Sequence, residues 1–188
     1  MKRFALAGLL GLVATMANSA EPEASMLEYV NGTVRAWFAD PAVQAAIRHS
    51  NDAHAGLDEA QILALDSRWS GEIGQTPSPT ITPVAESMVS ISLRQRVEDS
   101  AGVISEIILM DSRGLNVAVS AVTSDFWQGD EAKFLDTFPK GADAVHVGEV
   151  ELDESSQTYQ VQVSFTVSDA ETGAPIGAVT LGLNAEAF

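Results

Sequence analysis

The feature that most constrains the fold is a change in hydrophobic period near residue 102. Upstream of this point apolar residues recur at the spacing of an α-helix, and downstream they alternate with polar ones. The alternation is cleanest in residues 158–167, where the odd positions from 159 to 167 are apolar and the even ones are polar. Successive side chains point to opposite faces of a strand, so this segment predicts a strand with one apolar and one polar face.

Five segments after residue 102 have the composition of strands, and short turns join most of them. DSRG at 111–114 and DAETGAP at 169–175 have residues that suit tight turns. Short connections favour antiparallel pairing. The predicted strands are Val103–Met110, Leu115–Ala121, Val145–Leu152, Thr158–Val167 and Ile176–Leu183, and a short helix is predicted at Glu131–Phe138.

The first half of the chain predicts a long, interrupted helical arm. Asp40 and Pro41 suit the N-cap and first turn of a helix. We expect the arm and connecting helix, residues 21–101, to form one domain with the sheet of residues 102–188 and to cover one of its faces. The predicted helices are Glu21–Phe38, Ala42–Ser50, Leu57–Trp69 and a segment from Pro83 to about Asp99, with a turn at Asn51–Gly56.

The N-terminal 20 residues have the order of a secretory signal peptide. Lys2 and Arg3 precede an apolar run of 13 residues, and small residues follow at positions 17, 19 and 20. A spanning helix needs roughly 20 apolar residues, so we expect cleavage after Ser19 or Ala20 rather than an anchor. The sequence therefore predicts export to the periplasm.

Charge and composition exclude several functional classes. The chain has 26 acidic and 10 basic residues, and removal of residues 1–20 takes away two basic residues and no acid, which leaves a net charge of −18. Such a charge repels nucleic acid. There is no cysteine, and His49 and His54 are five residues apart, which does not place them on one helix face. We expect no metal, no cofactor and no catalytic constellation, hence no enzyme.

An ordered set of segments resembles the single Cache domain, a PAS-like extracytoplasmic sensor domain of the PDC type. It comprises EIILMDSRGLNVAVS at 106–120, DFWQGDEAKF at 125–134, VHVGEVELDESSQTYQVQVSFTVSD at 145–169 and GAPIGAVTLGLN at 173–184. The resemblance implies an α+β fold, with a five-stranded antiparallel sheet and a long N-terminal helical arm. It also implies that a small molecule binds between the sheet and the pocket segment.

The chain departs from the family pattern in its pocket segment. Lys133 and Phe134 stand where amino-acid-binding members have a Trp-Tyr pair, and Glu131 falls near the place of their Arg. Carboxylate clamping by that Arg therefore does not carry over. Asp153 matches the position of an acid that can receive a ligand amine.

The stretch SDFWQGDEAKFLDTF at 124–138 has two interpretations. Trp127 and Phe134 could pack on the sheet, with Asp130 as a helix N-cap and Lys133 in a surface ion pair. Alternatively, the stretch is a pocket wall over the polar face of the fourth strand, with Lys133 as partner for a carboxylate. The pocket interpretation predicts these ligand-binding residues: Phe126, Trp127, Asp130, Lys133, Phe134, Asp153, Gln162, Ser164 and Thr166.

We therefore expect a soluble periplasmic sensor of a small organic molecule, with a carboxylate and an amine both left open. Because no later segment is long and apolar enough to span a membrane, we expect it to signal through a partner such as the ectodomain of a membrane sensor or transporter. The arm leaves open a homodimer paired through the N-terminal helix. The alternative is a structural or interaction protein of the same fold whose pocket is filled by its own side chains.

Overall fold

A computed structural model describes residues 20–153 and 158–188. Of the segment interpreted as a signal peptide, residues 1–19 lie outside the described residues. Within the described ranges, no helix combines the length and the apolar composition that crossing a bilayer requires.

Six α-helices lie in the described part of the chain. They are α1 (Ala20–Tyr29), α2 (Pro41–His54), α3 (Glu59–Glu72), α4 (Ile81–Ala85), α5 (Met88–Asp99) and α6 (Ala132–Leu135). Between α1 and α2 the chain continues through a π-helical turn, Val30–Val34, and a 3₁₀ turn, Arg35–Ala39. The predicted first helix is thus helical throughout, but its hydrogen-bond period changes twice.

Side-chain caps fix the starts of the longer helices. Asp40 accepts a hydrogen bond from the Ala42 amide, as predicted, and Pro41 is the first residue of α2. At α3, Asp58 and Gln61 form a reciprocal capping box, which starts this helix two residues later than predicted. Such caps satisfy amide groups that a helix start otherwise leaves without partners.

Other predicted helix boundaries were also wrong. The turn predicted at Asn51–Gly56 is helical as far as His54, because α2 continues through it. The helix predicted to begin at Pro83 is two helices, of which the first begins at Ile81. The second begins at Met88, where the Ser87 hydroxyl accepts from the Ser90 amide and starts a new helix.

The sheet confirms the predicted fold class. Its strands are β1 (Ile104–Asp111), β2 (Asn116–Val119), β3 (Val145–Asp153), β4 (Thr158–Ser168) and β5 (Pro175–Asn184). They form one five-stranded antiparallel sheet in the order β2-β1-β5-β4-β3, the arrangement of a PAS-like fold. The second strand is shorter than the predicted Leu115–Ala121.

Each face of the sheet has its own apolar core. On the first face, Val163 and Phe165 of β4 pack with residues of α1, α2 and α5. On the second face, Ile108 and Met110 of β1 pack with α3, α4 and the segment after β2. The arm therefore contributes to both faces, whereas the sequence predicted cover for one.

Candidate functional site

The polar face of β4 is only partly covered. Ser164 and Thr166 are buried, and a hydrogen bond of 2.9 Å joins Ser164 Oγ to Thr180 Oγ1 on the neighbouring strand. The hydroxyl of Thr166 has no hydrogen-bond partner among the described residues. Gln162, two residues before Ser164, is half-buried. The cover thus ends between Ser164 and Gln162.

On this side of the sheet, residues 124–138, which we call the covering segment, pack aromatic rings into the second core. Phe126 is buried and stacks on Trp69 of α3, with ring centroids 5.1 Å apart. Phe134 is buried in α6 and stacks on Phe138 at 5.6 Å. These two predicted site residues therefore lie in the second core.

Trp127 packs against backbone. Its indole N–H donates to the Arg113 carbonyl at 2.8 Å, and its backbone forms a bridge with Leu115. A side chain on Gly129 would overlap the indole nitrogen and would lie 2.7 Å from the Arg113 oxygen. Gly129 thus permits the close approach of the Trp127 ring.

Helix α3 holds the segment in place from outside the sheet. Asp66 Oδ1 accepts from the amides of Phe126 and Trp127, at 2.7 and 2.9 Å. The Trp69 indole donates to the Thr123 carbonyl at 2.8 Å, and Trp69 is fully buried. Asp66 and Trp69 therefore hold residues 123–127 against α3, and we call these contacts the clamp.

The short helix in this segment is smaller than predicted. The predicted helix Glu131–Phe138 consists of α6, Ala132–Leu135, followed by a separate 3₁₀ turn at Phe138–Lys140. Its N-cap is Glu131, without a side-chain cap, so the interpretation of Asp130 as the N-cap was wrong. The carboxyl-bearing residue Asp130 is exposed.

An open cleft of about 660 Å³ lies between the sheet and the start of the covering segment. We call it the loop cleft. Polar and charged side chains dominate its wall. It is lined by Glu106, Ile108, Val122, Thr123, Ser124, Asp125, Gln128, Glu131, Lys133 and Gln162.

A second cleft of about 440 Å³ continues toward the β3–β4 hairpin. We call it the hairpin cleft. It is lined by Ser105, Glu106, Ala121, Gly148, Glu149, Glu151, Leu152, Gln160 and Gln162. Glu106 and Gln162 line both clefts, and Gln162 Nε2 donates to Glu106 Oε1 at 3.3 Å. Gln162 is paired with Gly182 and lies beside Gly148. The space above Gly182 is occupied by the side chains of Ser105, Glu106 and Gln160.

Lys133 reaches into the loop cleft from α6 and is already partnered. Its Nζ lies 3.0 Å from Glu131 Oε2 and donates to Gln128 Oε1 at 3.2 Å. The side chain of Lys133 is 11% exposed, and that of Glu131 is 41% exposed. The ion pair predicted for Lys133 with a neighbouring acid is formed with Glu131.

Of the nine predicted site residues, the structure brings Lys133 and Gln162 together at the loop cleft. The backbone of Asp153 lies at the outer end of β3, and its side chain is outside the described residues. Sequence reasoning missed Glu106 and Gln128. Gln128 lies inside the stretch 124–138, and Glu106 is a charged residue immediately before the apolar run IILM of β1.

Ser50, His54 and Asp111 also meet, but in an arrangement unlike a nucleophilic triad. Asp111 is fully buried and accepts from Ser50 Oγ at 2.9 Å. His54 Nδ1 lies 2.7 Å from the same carboxylate oxygen, Oδ2. Serine and histidine thus share one acceptor instead of forming a relay. The cluster joins α2 to the end of β1, where the turn to β2 begins. In the described ranges, no three His, Cys, Asp or Glu residues are grouped to hold a metal.

The comparisons with known proteins found similarity in solved structures alone. No family model and no curated protein matches the chain. The sensor domain of the Vibrio cholerae histidine kinase DctB is similar, with 16% identity, a TM-score of 0.37, and coverage of 89% of this chain and 58% of that one.

Two chemoreceptor domains are also similar. The sensory domain of Campylobacter jejuni Tlp3 with isoleucine bound has 12% identity and a TM-score of 0.39, over 91% of this chain and 66% of that one. The ligand-binding domain of Pseudomonas aeruginosa PctC in complex with GABA has 15% identity and a TM-score of 0.42, over 86% and 62%. The chain spans about three fifths of the length of these structures.

Proposed function

We propose that this chain is a sensor-type domain that binds a small organic molecule in the loop cleft. The observation that supports this most directly is an open cleft with converging polar groups beside an apolar core. Lys133 of α6, Gln128 of the loop before α6 and Gln162 of β4 line this cleft together. Polar groups that converge in a concave site fix the orientation of a ligand and give specificity.

The site is proposed to work outside the cytoplasm. The support is the N-terminal sequence, whose basic start, apolar run and small residues have the order of a signal peptide. A partner, such as the ectodomain of a membrane sensor or transporter, would carry the signal onward.

A homodimer through the N-terminal helix is a further part of the proposal. The apolar residues Met26 and Val30 pack on the sheet, so two copies would meet through other residues of the helix. Glu21, Glu23 and Glu28 are exposed there. Such a dimer would place like charges near each other and would form more readily at high salt.

A thermal-shift screen against small acids, amines, amino acids and sugars tests the proposal. A ligand that binds the native state raises the melting temperature by mass action. We expect one class of compound to raise it, and Gln162→Ala to reduce that shift. Gln95→Ala, an exposed glutamine on α5, is the matched control and should keep the full shift. A shift that both variants retain would place binding elsewhere.

The alternative function, a structural or interaction protein with a self-filled pocket, has one specific observation in its favour. Phe126 and Phe134, which the sequence predicted to bind a ligand, are instead buried in the second core. This alternative predicts that no compound in the screen changes the melting temperature.

A further inference from the structure

The charges around the two clefts indicate which ligands they favour. In the described residues that line them, five side chains carry a carboxylate and one, Lys133, carries an ammonium group. The carboxylates belong to Asp125, Glu131, Glu106, Glu149 and Glu151. A field of one sign in a concave surface raises the local concentration of ligands of the opposite sign.

The one ammonium group is not available to an anionic ligand without a rearrangement. Glu131 Oε2 lies 3.0 Å from Lys133 Nζ, and Gln128 Oε1 accepts from the same atom at 3.2 Å. The Lys133 side chain is nearly buried, at 11% exposed. A ligand carboxylate would have to displace Glu131 and leave that carboxylate close to its own negative charge. Like charges at such a distance repel strongly when water is partly excluded.

The position of Glu131 follows from the local backbone. It is the N-cap of α6, and its side chain makes no capping hydrogen bond, so it is directed to Lys133 two residues later. Its neighbour Asp130 is exposed and is not part of the cleft wall. Of these two adjacent acids, Glu131 lines the cleft and pairs with Lys133, whereas Asp130 does neither.

We infer that the clefts select a positively charged ligand, an amine, and that Glu131 determines this selectivity by neutralising Lys133. This inference rests on the proposed function and adds the chemical class of the ligand. Carboxylates lie in both clefts, with Glu106 and Gln162 in the shared middle. A short aliphatic ligand with an ammonium group at each end therefore matches the negative charges along the two clefts.

Isothermal titration with 1,4-diaminobutane and with succinate tests the inference, because these probes have four-carbon chains and opposite charges. The wild-type protein is expected to bind the diamine at least about tenfold more tightly than succinate. Glu131→Gln should weaken diamine binding about fivefold and strengthen succinate binding, since it removes one negative charge and releases Lys133. Asp130→Asn is the matched control and should bind both probes as the wild type does.

Three results would overturn the inference: wild-type protein that prefers succinate, no binding of either probe, or Glu131→Gln with both affinities unchanged. Circular dichroism checks that each variant is folded. If a neutral or acidic compound from the screen binds and Gln162→Ala weakens it, the proposed function stands and the charge inference fails. If no compound binds at all, the proposed function fails as well.

Discussion

At the scale of single residues, the aromatic positions of the pocket segment were found from sequence, but their partners were not. The sequence left two surroundings open for Trp127: the wall of a ligand site, or packing against the rest of the protein. The structure has the second, because the indole N–H binds the Arg113 carbonyl. Arg113 lies 14 residues away in a turn, and no local pattern encodes that pairing.

Gly129→Ala tests the close approach. The added methyl group would overlap the Trp127 indole and disturb its hydrogen bond to Arg113, so we expect a loss of about 1–3 kcal/mol in the free energy of unfolding. Urea denaturation measures it. Gly32→Ala is the control, because nothing lies within 4 Å of its added methyl group. A Gly129→Ala variant as stable as Gly32→Ala would contradict the described packing.

Asp66→Ala tests the clamp on the pocket segment. It leaves the amides of Phe126 and Trp127 without their acceptor, so we expect a loss of about 1–3 kcal/mol in unfolding free energy. Hydrogen exchange at these two amides should accelerate more than at amides of the central strands. The exposed Asp130→Ala should change stability by no more than about 0.5 kcal/mol. Equal effects of the two substitutions would rule out the clamp.

At the scale of elements, the strands were predicted better than the helix boundaries. Strand β4 is buried on its apolar face, and its alternation fixes both type and register. The helix boundaries depend on single capping side chains, such as Ser87, which hydrophobic periodicity does not reveal. The changes to π and 3₁₀ turns after Tyr29 have no evident signal in the sequence.

Glu72 joins two elements, and its contribution to stability should depend on pH. Burial raises the pKa of its carboxyl. Hydrogen bonds from Thr80 and Ile81 and the charge of Arg68 together lower the pKa by more, so the net pKa lies below its ordinary value of 4.5. A carboxyl with a lowered folded pKa stabilises the protein above its unfolded pKa. That stabilisation is lost as the pH falls through the folded pKa.

We therefore expect Glu72→Gln to be less stable than the wild type at pH 7, with a difference that shrinks as the pH falls below about 4.5. Urea denaturation at pH 7, 5, 4 and 3 measures the difference. Glu59→Gln, at the exposed start of the same helix, is the control and should show a smaller difference at pH 7. A difference for Glu72→Gln that grows on acidification would contradict the described role.

At the scale of the whole molecule, the order of helical and strand-like hydrophobic periods along the chain predicted the fold, but it did not predict the cleft. Its wall combines β1, β4 and the segment around α6, and the separation between Glu106 and Gln162 is 56 residues. Their meeting depends on strand order, in which β5 lies between β1 and β4. Gln162 was predicted because its own strand shows the polar face, and Glu106 was missed because its strand is apolar.

Where a ligand binds is the central claim, and a ¹H–¹⁵N correlation spectrum titrated with the strongest compound from the screen tests it most directly. We predict that the largest shifts belong to the amides of Glu106, Lys133 and Gln162 and their neighbours, on the second face of the sheet. Shifts confined to the opposite face, around Trp37 and Arg96, would contradict the claim and would assign the ligand to the helical arm.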